Sequence, residues 1–256
     1  MEFLSVKLAR MPFSRQMGAF LHSLIPDDLV LPIPQGALKG KKWVVESGGL
    51  VYYLGSFETE KTRLFKNLIQ KGNVVYDIGA HVGYFSLFLG ELVGEAGRVL
   101  AFEPNPVNVE YLRQHLDMNG ICNVDVFEFA LSDENGESFF INKKDTSTGC
   151  LSSSGDMWVE TYTVDYLVDS GTVPPPDYIK IDVEGAELLV LKGARRTLEK
   201  HMPSIFLATH GPDLKYDCME FLETLGYCFR PESKKDQGLG KDFFAYPGKA
   251  SEAVLC

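Results

Sequence analysis

The chain has 256 residues, enough for one large α/β domain or a domain with a small cap, in a composition ordinary for a globular protein. A formal net charge of −10 argues against a nucleic-acid partner, because contacts to phosphate dominate that affinity. Five cysteines (Cys122, Cys150, Cys218, Cys228 and Cys256) carry neither metal-ligand spacing nor a disulfide pattern, as expected in a reducing compartment.

No apolar run approaches the roughly 20 residues of a membrane span. Glu2, Lys7, Arg10 and Arg15 interrupt any leader-like core. The expectation is a cytoplasmic protein with no stable membrane insertion.

Residues 1–24 mix Phe3, Leu4, Leu8, Met11, Phe20, Leu21 and Leu24 with basic residues and Pro12. They read as helix in two pieces. Packing on the same domain, capping an active site, meeting a second copy in a homo-oligomer and lying on a membrane surface all remain open. Residues 31–40, with Pro32, Pro34, Gly36 and Gly40, read as a linker. Residues 43–46 and 50–54 alternate around Ser47-Gly48-Gly49, which predicts a hairpin. Residues 1–56 are thus a cap and hairpin region ahead of a main domain over 57–256. Residues 57–69 place Phe57, Leu64, Phe65, Leu68 and Ile69 on one helical face.

Residues 74–83, VVYDIGAHVG, are a short buried strand, a carboxylate, a glycine turn and the start of a helix. Residues 99–102 form a second apolar strand, ending in Glu103, Pro104 and Asn105. Two adjacent strands therefore end in acids with one helix between them. An acid at the tip of the second can accept both hydroxyls of a ribose. The dinucleotide fingerprint needs glycines at the first, third and sixth turn positions. Those positions here are Gly79, His81 and Tyr84. Asp77 would repel a pyrophosphate, but it suits the ammonium of S-adenosylmethionine. Asp77, Gly79 and Gly83, with Glu103, fit that cofactor better than NAD.

Residues 106–119 are a helix with proline at its first turn and Gly120 after its end. Residues 124–129 read as a third strand. Ala130, Leu131, Ser132 and Asp133 follow, where a backbone N–H and a side chain could read adenine. Residues 137–142 look like an edge strand, 146–155 like a mobile loop and 159–164 like another strand. A fourth central strand spans 178–182. The next helix carries Leu188, Leu189, Leu191, Ala194 and Leu198. Residues 204–207 are a fifth strand ending near Thr209-His210-Gly211. Another amphipathic helix and two last strands, 227–230 and 243–246, flank a polar loop over 232–241. Strand–helix alternation implies a doubly wound α/β sheet, mostly parallel with an antiparallel last strand.

Residues 179–187, IKIDVEGAE, put Asp182 at the end of an otherwise apolar strand. Glu184 and Glu187 flank a helix start, where acids are favoured for structural reasons alone. Methyl transfer to an alcohol needs an aligned acceptor and either a base or a metal. His210 is the best-placed base. Asp182 could orient it, orient the acceptor, or hold a divalent cation. No metal-ligand set is assigned.

The run D-I-G-A-x-x-G (77–83), then F-E-P (102–104), A-L-S-D (130–133), T-V-D (163–165), I-K-I-D-V-E-G-A-E (179–187) and L-K-G-A (191–194), resembles the FkbM family of S-adenosylmethionine-dependent methyltransferases. The resemblance implies a class I methyltransferase (Rossmann-like) fold and, most often, O-methylation of a hydroxyl on a sugar or natural product. N-methylation of an amine, or cofactor binding without catalysis, are the alternatives. The expected cofactor-binding residues are Asp77, Gly79, Ala80, His81, Gly83, Tyr84, Glu103, Pro104, Asn105, Ala130, Leu131, Ser132 and Asp182. The expected catalytic residues are Asp182, Glu184 and His210. His81 stands where the family often has Asn, and Ala208-Thr209 where it often has an acid.

Overall fold

The computed structural model describes residues 26, 28–48, 50–55, 57–141, 149–152, 155, 157–231 and 242–248. The readings of 1–24 and of the loop at 232–241 lie outside them. The chain divides into two units, Met1–Phe57 and Glu58–Cys256.

In the first unit, strand β1 (Val30–Pro32) pairs antiparallel with β2 (Lys42–Val44). The hairpin therefore runs through the stretch expected as a linker, closed by reciprocal bonds between Ile33 and the Gly40–Lys41 backbone. The hairpin expected over 43–54 does not form. Leu50–Tyr53 is instead one helical turn, α1. Proline and glycine in 31–40 mark the bend of a hairpin, with Gly36 and Gly40 both at φ 85.

The second unit is built on a seven-stranded sheet. Its strands are β3 (Val74–Ile78), β4 (Arg98–Phe102), β5 (Val124–Phe127), β10 (Tyr178–Ile181), β11 (Ser204–Ala208), β12 (Tyr227–Pro231) and β13 (Asp242–Pro247). They lie in the order β12-β13-β11-β10-β3-β4-β5. All neighbours are parallel except that β13 is antiparallel to both β11 and β12. This is the doubly wound sheet of class I methyltransferases, mostly parallel with an antiparallel last strand. The winding reverses at β3, so the ligand crevice is expected beyond the carboxyl ends of β3, β4 and β10.

Period-two alternation divides the sheet into two faces. Tyr76, Ile78, Leu100, Phe102, Ile179, Ile181, Ile205 and Leu207 share one core. That core also holds residues of α5 (Val164–Asp169), α6 (Glu187–Gly193), α7 (Arg195–His201) and α8 (Pro212–Thr224). Phe206 belongs to the opposite face, in edge contact with Phe65 of α2 (Thr59–Leu68) at 4.2 Å. Phe65 in turn meets Phe85 of α3 (Tyr84–Val93) at 5.4 Å. Asp77 and Lys180 lie on this second face.

A smaller four-stranded sheet adjoins. It comprises β6 (Ala130–Leu131), β7 (Gly136–Ile141), β8 (Cys150–Ser152) and β9 (Met157–Tyr162), in the order β6-β9-β7-β8. The edge strand expected at 137–142 is therefore an interior strand. The loop expected at 146–155 contains β8, which pairs antiparallel with β7. The strand expected at 159–164 ends at Tyr162, because Thr163 caps α5 by accepting the Tyr166 N–H.

Candidate active site

The glycine turn after β3 is tied to both neighbouring strands. Gly79 and Ala80 N–H groups donate to the Phe102 carbonyl, and the Asp182 N–H donates to Ile78. A Cβ on Gly79 would lie 2.0 Å from the Asp182 carbonyl oxygen, so only glycine lets these strand ends approach. Gly79 and Gly83 hold φ 75 and 89, and His81 holds φ 52. Helix α4 (Pro106–Met118) braces the turn from outside. His115 Nδ1 is 2.8 Å from the Val82 carbonyl, and burial lowers its pKa to about 4, so the neutral ring donates that bond.

Glu103 sits just past β4 and is 5% exposed. One oxygen accepts the His81 N–H at 2.8 Å. The other accepts the Asn105 N–H at 3.0 Å and Asn108 Nδ2 at 3.1 Å. Burial raises its pKa, against these donors, which hold it down. Asn105 also caps α4 by accepting the Val107 N–H.

A cleft opens here. Gly79, His81, Glu103, Pro104, Ala130, Leu131, Asp182 and Glu184 line it. Ile78, Phe102, Asn108, Phe140, Gly149, Val183 and Ala186 line it too and were not anticipated. Apolar alternation in β7 was the available signal for Phe140. Asn108, one turn into α4, carried none.

Asp77 requires a correction. Its carboxylate is 0% exposed and is not part of the cleft wall. One oxygen accepts Lys180 Nζ at 2.8 Å, and the other accepts Ser86 Oγ at 2.7 Å. Lys180 also donates to the Gly79 carbonyl at 2.9 Å. Asp77 is the penultimate residue of β3, so alternation turns it under α3 and away from the crevice. The expected contact with the cofactor's ammonium is replaced by a buried ion pair that holds the turn.

Ala80, Gly83, Tyr84, Asn105 and Ser132 also stand outside the cleft wall. Within the 130–133 turn, the Ser132 N–H donates to the Tyr162 carbonyl. Gly83 caps α3 and lies against Leu112.

At the other end of the cleft, Asp182, Glu184 and His210 come together. His210 Nε2 is 3.8 Å from Asp182 Oδ1 and 3.4 Å from Glu184 Oε1. His210 Nδ1 is 2.7 Å from Glu187 Oε1. His210 is not itself part of the cleft wall. Its pKa is raised, first by the Glu187 bond and then by charge from Glu184, Glu187 and Asp182, while burial opposes this. Donor atoms of Asp182, Glu184 and His210 lie within 4.8 Å of one another, near enough for one cation to bridge.

Residues 77–232, more than half of the chain, match the Methyltransferase FkbM domain. The chain belongs to the FkbM methyltransferase family. The hexuronic acid methyltransferase AglP of Haloferax volcanii is 32% identical over 144 residues, covering 56% of this chain and 58% of that protein. Methyltransferase sdnD of Sordaria araneosa is 28% identical over 155 residues, covering 46% of this chain and 59% of that protein. The chain thus spans less than two thirds of the length of either relative. Among solved structures, the FkbM methyltransferase of Methylobacillus flagellatus aligns with a TM-score of 0.49 at 17% identity, over 76% of this chain and 52% of that chain.

The residues present fit the cofactor. Glu103, buried at the tip of β4, keeps an acceptor position for a ribose hydroxyl on the oxygen that meets the His81 N–H. Phe102, Leu131 and Phe140 give an apolar wall suited to a nucleobase. The close approach at Gly79 leaves backbone along the floor. No helix among the described residues is long and apolar enough to cross a membrane.

Proposed function

We propose that this FkbM enzyme methylates a hydroxyl of a sugar or glycan, or of a comparable natural product. The observation that carries the reading is His210 beside Asp182 and Glu184, the two acids that line the cleft. A hydroxyl must lose its proton as it attacks, and a positioned base contributes roughly 10²–10⁴-fold to such steps. A carboxylate or a free amine acceptor needs no such group. Likeness to a hexuronic acid methyltransferase supports a sugar acceptor.

The bound cofactor supplies an electrophilic methyl group on a sulfonium. Glu103 binds its ribose, and Phe102, Leu131 and Phe140 enclose its base. Asp182 and Glu184 line the acceptor end of the cleft and orient the hydroxyl. His210 Nε2, beside both acids, takes the hydroxyl proton. Alignment of acceptor and methyl is the rest of the catalysis.

The test is incubation with labelled S-adenosylmethionine and glucuronic acid, glucose or glucosamine, with the product located by NMR. A methyl ether on a ring hydroxyl is the expected product. Methylation confined to the glucosamine nitrogen, or to the glucuronate carboxylate, would contradict the proposal.

A further inference from the structure

We infer that Glu187 is the positioning residue for His210, fixing the proton of that imidazole on Nδ1 and its lone pair on Nε2. The inference rests on the reading of His210 as the base. Sequence alone gives Glu187 a helix-terminus role, since it opens α6. The structure gives it more to do. Its side chain is 0% exposed. Its Oε1 lies 2.7 Å from His210 Nδ1, across 23 residues of sequence, and also accepts the Gly185 N–H at 3.1 Å. A carboxylate can only accept there, so the ring nitrogen facing it must carry hydrogen. In the neutral ring Nε2 then holds the lone pair, on the side of Glu184 and Asp182. Glu187 Oε2 is buried and has no hydrogen-bond partner among the described residues.

Such a carboxylate is best matched by a positive charge on the ring it touches. The reaction creates that charge. As the oxygen–methyl bond forms and the sulfur–methyl bond breaks, the hydroxyl proton passes to Nε2. The positive charge lost from sulfur appears on the imidazolium, and the proton leaves later to water. Three acids face His210: Glu187 from α6, and Asp182 and Glu184 from the turn after β10. The group facing Glu187 from α8 is Cys218, whose pKa burial pushes up to about 12, so it stays a neutral thiol. The arrangement is an oriented base with a buried carboxylate behind it.

The test uses histidine labelled with nitrogen-15 in the full chain saturated with S-adenosylhomocysteine, as wild type, Glu187→Gln, Glu187→Asp and His210→Gln, the last for assignment. Wild-type His210 should show a single Nδ1–H tautomer and titrate above 6.5, its ordinary value. Glu187→Gln should mix the tautomers and lower the titration. Glu187→Asp should restore part of the wild-type signature, and it decides the matter where Glu187→Gln does not fold. With glucuronic acid as acceptor, kcat should fall roughly tenfold or more in Glu187→Gln, with KM for S-adenosylmethionine unchanged. A wild-type tautomer, titration and kcat in Glu187→Gln would overturn the inference. If the wild type does not methylate glucuronic acid, the acceptor reading fails, and the nitrogen spectra still decide the role of Glu187.

Discussion

Lys180 shows what a single residue can reveal. A lysine in the middle of an apolar, interior strand must find a partner, because an unpaired buried charge costs several kcal/mol. Register supplies one: Lys180 lies directly beside Asp77 on β3. Lys180 Nζ also sits 5.5 Å over the Phe85 ring, under α3. A lysine inside an apolar strand signals a buried partner, and the register between β10 and β3 identifies it as Asp77. Asp77 looked like a cofactor ligand because it stands beside the glycine turn, and strand position alone does not say which face it takes. The pair leads to a prediction. Lys180→Met leaves Asp77 uncompensated and should destabilise the fold by about 3–5 kcal/mol in urea unfolding. The Asp77→Asn/Lys180→Met double variant should recover much of that loss. Equal stability of the single variant and the wild type would show that the pair is not the brace described here. His81 is a second legible residue, since φ 52 is a conformation that Asn, Asp and His adopt more readily than other side chains.

Among the elements, strands with runs of Val, Ile, Leu and Phe were readable, and the helices with proline or glycine stops nearly so. The misreadings have one origin. Short β-pairings in 30–44 and 136–162 are set by which segments meet, across one bend in the first and over longer separations in the second, and local propensity does not specify these. Helix 187–201 looked continuous because its apolar spacing continues across Gly193-Ala194. The structure breaks it at Ala194, between α6 and α7. Gly193 has a packing reason: a Cβ there would sit 2.0 Å from the Ser132 carbonyl oxygen. The T-V-D motif has a similar structural use, with Asp165 accepting the N–H groups of Arg196 and Thr197 at the start of α7. Gly193→Ala should therefore push α6 from the Ala130–Ser132 segment. It should cost about 1–3 kcal/mol and weaken cofactor binding, because Ala130 and Leu131 line the cleft. Gly120→Ala, where nothing lies within 4 Å, should cost only the left-handed backbone penalty of about 1–2 kcal/mol and leave affinity alone. Calorimetry on both variants separates these outcomes; matching affinity losses would count against the packing argument.

On the scale of the whole molecule, the order of motifs along the chain specified the sheet. The motifs at 77–83, 102–104 and 179–187 follow the ends of β3, β4 and β10 on the same edge, and the reversal at β3 gathers those ends into one crevice. What the sequence could not reveal was depth, meaning which acids face the crevice and which lie beneath it. Of the two strand-tip acids, Glu103 faces the cleft and Asp77 does not. The cofactor reading therefore converges on Glu103. Burial raises its pKa in the free protein, whereas ribose hydroxyls donate to the ionised form. Binding should lower that pKa, so affinity should weaken as pH falls through the raised value. The decisive measurement is calorimetric titration of S-adenosylmethionine into wild type and Glu103→Gln across this pH range. The variant should bind roughly tenfold more weakly or worse at neutral pH, with the wild-type pH dependence gone. Equal affinity of the two proteins at every pH would contradict the assignment.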